Sequence, residues 1–200
     1  MKEFGEDHVP PVCSSFIDIT NKSKKIHYWT KSICTVTEQG LQKCFMNSQF
    51  EELHKIDIVT GGDYGQGKFR QLVRCLCRDR QGKVIKEFKL KIGHIDCTKD
   101  TYHVLKNTIG GNLNQDLKKL IGYGKIFFYK SITGKLCFQY KLEQEMPNTA
   151  IYTAEIKVII TGDLANYMCI LGKNSSAHWC VWCNDEVGAW AKDGFVSGND

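Results

Sequence analysis

The stretch IDIVTGGDYGQGKFRQLVRCLCRDRQGKVIKEFKLKIGHI, residues 56–95, decides the fold class of this 200-residue chain. Its first five residues are a β-prone run that stops at the glycine-rich segment 61–67, which reads as a sharp turn carrying Asp63. Residues 69–77 read as a second strand, 79–82 as a turn and 84–95 as a third strand. In that third strand Phe88, Leu90 and Ile92 alternate with Glu87, Lys89 and Lys91, the period-two signature of a sheet with one buried face. A hairpin or meander is therefore expected.

The same stretch holds most of the charge. Between residues 68 and 91, Lys68, Arg70, Arg74, Arg78, Arg80, Lys83, Lys86, Lys89 and Lys91 face only Asp79 and Glu87 as counter-charges, so that segment carries +7 while the whole chain carries +5. A regional basic strip suits a polyanion such as a nucleic-acid backbone. It equally suits a solvated strand face that discourages edge pairing.

Outward from this core, 42% hydrophobic content allows one ordinary core, and no apolar run reaches membrane-spanning length. The start lacks a secretory pattern, so no membrane association and an intracellular protein are expected. Ten cysteines are too sparse for a disulfide scaffold. Cys13, Cys34, Cys44, Cys97, Cys137 and Cys169 read mostly as small buried hydrophobes. Residues 1–52 show a short strand at 16–19, a polar run at 35–49 and a helix at 47–54, and form an N-terminal segment of unknown role. Helices are expected at 100–109 and 113–121, with Gly110 and Gly111 bending or breaking the run, and β-structure at 125–129 and 135–142.

The run 156–160 is a buried strand ending at Thr161-Gly162-Asp163. Leu164, Tyr167, Met168 and Leu171 then keep helical spacing, with Asp163 as the N-cap and Gly172 as the stop. The coarse order is strand, strand, strand, helix, strand, helix. This matches the first part of a ribonuclease H-like α/β fold, a mixed sheet with flanking helices in which strands 1 and 4 are neighbours and strand 3 lies at an edge. Carboxylates at the ends of strands 1 and 4, Asp63 and Asp163, would then meet and hold Mg²⁺ or Mn²⁺ through oxygen ligands for phosphoryl transfer. Each acid alone has a plain structural reading, as a turn residue and a helix cap. Asp96 is a rival for the second position. The glycines around Asp63 lack nucleotide-loop spacing and precede a strand, which argues against a nucleotide site.

Trp179-Cys180-Val181-Trp182-Cys183 admits three readings: half of a tetrahedral zinc site, a thiol redox pair, or two reduced cysteines in an aromatic core. Zinc would need two more ligands, from beyond residue 200 unless Cys75 and Cys77 or His94 fold back. The closing residues GFVSGND read as an interruption, so the chain is expected to continue.

Taken together, GGDYGQG, ITGD, the helical pattern and WCVWC resemble the DDE transposase and integrase superfamily, in particular the branch of the V(D)J recombinase catalytic subunit and its transposon relatives. The likeness covers about residues 53–190. It implies a ribonuclease H-like core at 53–172 and, at 173–200, the start of a truncated zinc-binding insertion. It further implies Asp63 and Asp163 as metal-binding catalytic carboxylates and Cys180 and Cys183 as the first two zinc ligands. DNA is the implied partner, with nuclear location and room for a homodimer, and Mg²⁺-dependent phosphodiester cleavage and strand transfer is the implied reaction. The family's third carboxylate has no counterpart, since Glu186 comes too soon, so this stretch alone is expected to be inactive. A non-catalytic DNA-binding remnant of a mobile element is the alternative.

Overall fold

A computed structural model describes residues 11–18, 24–46, 50–97, 102–142 and 149–162. Eight strands form one mixed sheet: β1 (Val12–Asp18), β2 (Lys24–Thr30), β3 (Lys55–Gly65), β4 (Lys68–Arg78), β5 (Val84–Asp96), β6 (Lys125–Lys130), β7 (Leu136–Gln139) and β8 (Tyr152–Thr161). Their order across the sheet is β1-β2-β5-β4-β3-β8-β6-β7. Every pairing is antiparallel except β3 with β8, which run parallel. None of the helices among the described residues is long and apolar enough to cross a membrane.

The helices all pack on one face. α1 (Ile33–Phe45) and α3 (Gly111–Tyr123) share a core with β3–β8, built on Ile33, Leu41, Phe45, Leu117, Leu120, Ile56, Ile58 and Phe128. The short α2 (Tyr102–Leu105) and the π-turn that follows it (Lys106–Gly110) close a second cluster, in which Val104, Leu105 and Ile109 cover Ile26, Phe69 and Ile95. Strand parity makes this possible. Ile56, Ile58 and Thr60 in β3 and Phe69, Gln71, Val73, Cys75 and Cys77 in β4 are all buried, while Arg70, Leu72 and Arg74 between them are exposed.

Several expectations are revised. The helix expected at 47–54 is not where the sequence placed it: residues 51–52 form a turn, and the helix is α1, inside the supposedly polar run. Ile33, Val36, Thr37, Gly40, Leu41 and Phe45 make its buried stripe, and burial of each large apolar member contributes roughly 1.5–3 kcal/mol. Its N-terminus is capped twice. Ser32 Oγ accepts from the Thr35 amide at 3.4 Å, and Asp116 of α3 accepts from Ser32 Oγ and from the Ile33 amide, both at 2.8 Å.

Residues N-terminal to 53 thus contribute to the common sheet and core. β2 pairs with β5, so the third strand of the meander is interior and not an edge. The hairpin β6–β7 attaches through β6 to β8. Of the bend or break expected at Gly110 and Gly111, no break occurs: the π-turn ends at Gly110 and Gly111 opens α3. The helix expected after Asp163 lies outside the described residues.

Two consequences are measurable. A Cβ added at Gly40 would lie 2.2 Å from the ring of Phe88, itself fully buried. Gly40→Ala should therefore lose more to overpacking, about 1–3 kcal/mol, than it gains in helix propensity, and should lower the melting temperature. On the same helix, burial raises the Glu38 carboxyl to about 7. Its folded value exceeds its unfolded one, so the stability tied to its proton is full below pH 4.5 and is lost as pH rises through 7. Glu38→Gln should melt higher than wild type at pH 8, and the gap should close by pH 4.5 in a melting series across pH.

Candidate active site and nucleic-acid face

The glycine-rich segment 61–67 is mostly strand. β3 continues to Gly65, and the turn into β4 is only Gln66 and Gly67, at φ 53° and 72°. Asp63 is therefore an exposed strand residue registered opposite Arg70, not a turn residue. Gly61 and Gly62 serve close approach. A Cβ at Gly61 would sit 2.5 Å from the carbonyl oxygen of Thr161 on β8, and one at Gly62 would sit 2.1 Å from the buried ring of Phe69.

The β3–β8 register runs from Lys55↔Glu155 to Gly61↔Thr161 with a constant offset of 100. Thr161 Oγ1 donates to the Thr60 carbonyl at 3.4 Å, tying the last paired residues together. Asp63 follows two positions after the last pair. Asp163, Cys180 and Cys183 lie outside the described residues, as does the expected insertion.

Asp63 lies at one end of an open trough of about 880 Å³ on the face opposite the helices, bordered by Arg70, Arg74, Lys89, Lys91, Thr161 and Gly162. The nine basic residues divide by position. Lys68 and Arg70 are exposed at the Asp63 end of β4, and Lys89 and Lys91 stand across from Arg74 and Leu72 on β5. Arg74 is engaged by Glu87 through two hydrogen bonds of 2.8 and 2.9 Å, which holds the Glu87 carboxyl below its usual value. Arg78 belongs to a different feature: its Nε donates to buried Asp57 at 2.6 Å and its Nη1 to the Gly82 carbonyl at 2.8 Å. Arg80 and Lys83 flank the β4–β5 turn, at the end of those strands remote from Asp63. Lys86 sits opposite buried Cys77 and close enough to Cys44 to act on its thiol, which puts it on the helix side. The strip is thus not one surface.

On the open face, Trp29 carried no functional reading in the sequence, and His94 carried only that of a zinc ligand folding back. The cross-strand row that begins Asp63↔Arg70 continues through His94 on β5 to Trp29 on β2. The Trp29 and His94 rings are near parallel, 19° apart with centroids at 6.2 Å, and His94 Nε2 hydrogen-bonds Asp96 Oδ1 at 3.1 Å. Lys91 and Lys31 place their ammonium groups 5.1 and 5.6 Å from the Trp29 ring centre. The readable signal was the alternation of His27 and Trp29 with Ile26, Tyr28 and Thr30.

The cysteines sort differently from expectation. Cys75, Cys77 and Cys97 are buried, whereas Cys13 is exposed and Cys34, Cys44 and Cys137 are half-buried. Cys75 and Cys77 point into the helix-side core while His94 is on the other face, so these cannot complete one zinc site together. Among the described residues no three His, Cys, Asp or Glu side chains gather to hold a metal ion. Burial pushes the Cys75 and Cys34 thiols up to about 12 and Cys77 higher still. Iodoacetamide at pH 8 should accordingly modify Cys13 in the native chain and reach Cys75 and Cys77 only after denaturation, read by peptide mass mapping. In comparisons with known proteins no family model matches the chain, and no curated protein or solved structure matches it either.

Proposed function

We propose that this chain belongs to a ribonuclease H-like DNA transposase or recombinase that cleaves and joins phosphodiesters with Mg²⁺ or Mn²⁺. The observation that carries the reading is the parallel β3–β8 ladder, which brings the ends of Thr60-Gly61-Gly62-Asp63 and Thr161-Gly162 to one edge of a basic trough. The antiparallel order β5-β4-β3 followed by parallel β8 supports a ribonuclease H-like core. DNA as partner and a nuclear location follow from the reading, as does the zinc role of Cys180 and Cys183.

The donor chemistry at Asp63 fits a hard divalent cation: an exposed carboxylate with two oxygens. Asp63 is the one carboxylate that the described residues place at this end of the trough; Asp163 would supply another. When bound, the ion would activate the attacking oxygen and stabilise the leaving one. The chain's own part is positional. Arg70, Lys89 and Lys91 neutralise backbone phosphates and hold the strand along the trough, while Arg74 is shared with Glu87.

In the complete protein, Asp63→Asn should reduce Mg²⁺-dependent strand cleavage at least a thousandfold while DNA affinity holds or rises. Cleavage retained by the variant removes Asp63 from the reaction. Salt-sensitive DNA binding without cleavage in wild type favours the non-catalytic remnant. Lys89→Ala combined with Lys91→Ala should lower the slope of log affinity against log salt by roughly 2, one unit per lost phosphate contact.

A further inference from the structure

We infer that Trp29, backed by His94, is a stacking pad for an unpaired nucleotide of the DNA strand that lies along the trough. The inference rests on the DNA reading above and adds the form of DNA that the face prefers. Plain phosphate binding requires only cations, and these are supplied by Arg70, Lys89 and Lys91. An indole on the same face adds something that phosphates cannot use, a flat apolar surface of the size of a base.

The placement is specific. Asp63, Arg70, His94 and Trp29 occupy one row across β3, β4, β5 and β2. Three strand spacings of roughly 4.8 Å separate the first from the last, so Trp29 lies about 14 Å from Asp63. Trp29 is half-buried, so it keeps an accessible surface, and its orientation is set by the near-parallel His94 ring. The His94 ring is in turn fixed by Asp96.

The ammonium group of Lys91, 5.1 Å from the indole centre and bordering the trough, is placed to take a phosphate flanking a stacked base. A duplex cannot use the pad without opening, because its bases are stacked on one another. A tail or frayed end can use it at once.

The test measures fluorescence anisotropy of the full chain with three DNAs: a blunt 20-base-pair duplex and the same duplex carrying a five-nucleotide 5′ or 3′ tail. Wild type should bind at least one tailed DNA about tenfold tighter than the blunt one, the scale of one base–aromatic stack. Trp29→Ala should erase that preference while leaving the blunt-duplex affinity unchanged, and Trp29→Phe should keep most of it. Melting curves of both variants establish that the sheet is intact. Equal binding of all three DNAs by wild type, or a preference that survives Trp29→Ala, overturns the stacking role and leaves the DNA reading standing. Failure to bind any of the three overturns the DNA reading and this inference with it.

Discussion

The parallel ladder between β3 and β8 is the constraint on which the rest depends. Parallel neighbours cannot be joined by a tight turn, so the chain between them must leave the sheet and return. Here the return path consumes β4, β5, the helical segment and the β6–β7 hairpin, and the offset of 100 residues is the sequence length of that excursion. Closing so long a path has an entropic cost that grows only slowly with length, and the elements on it recover that cost by burying their own apolar faces. Gly61 is where the constraint is felt most locally: the Thr161 carbonyl fills the space that a side chain would need.

A second consequence is the division of labour between the two faces. With α1, α3 and the π-turn segment on one side, the buried strand residues of the apolar core point there, and the alternation sends most of the charge to the other side, where Asp57 is nonetheless buried beneath Arg78. The bulge between Gln71 and Leu72 on the β4–β5 pairing preserves this. Phe88 and Ile92 face the core before it, Gly93 and Ile95 after it, so the parity of β5 changes while burial continues. That shift is also what puts His94, and not its neighbours, in the open-face row with Arg70.

Legibility in the sequence followed the same physics. β4 and β5 were readable because their alternation is strong, and β8 because its apolar run is dense. α1 was not, because its stripe includes Thr37 and Gly40 and its apolar residues are spaced among Thr, Gln and Cys, which dilutes the helical period. Half of its capping comes from Asp116, 84 positions from Ser32, a contact no local window contains. Gly61 and Gly62 were misread because glycine has two uses, positive φ in turns and close packing in strands, and letters alone do not separate them. The alternation of His27 and Trp29 with Ile26, Tyr28 and Thr30 was present to be read, but nothing in β2 announces that it would lie beside β5.

The sign of the charge at Asp63 bears on which activity this face serves. In a trough that only binds phosphate, a carboxylate beside Arg70 works against affinity: at about 4 Å two like charges repel by roughly 1 kcal/mol even in water, and more where the wall excludes solvent. Pairing with Arg70 would relieve that, but it would spend a cation the trough needs. A divalent cation reverses the sign. An ion held by Asp63 would offset the carboxylate's repulsion of phosphate and would leave Arg70 free to act on the strand. An acid at the end of a basic row is therefore unfavourable for simple DNA retention and favourable for metal-assisted attack, and this asymmetry is the physical reason for ranking the enzymatic reading above the binding remnant.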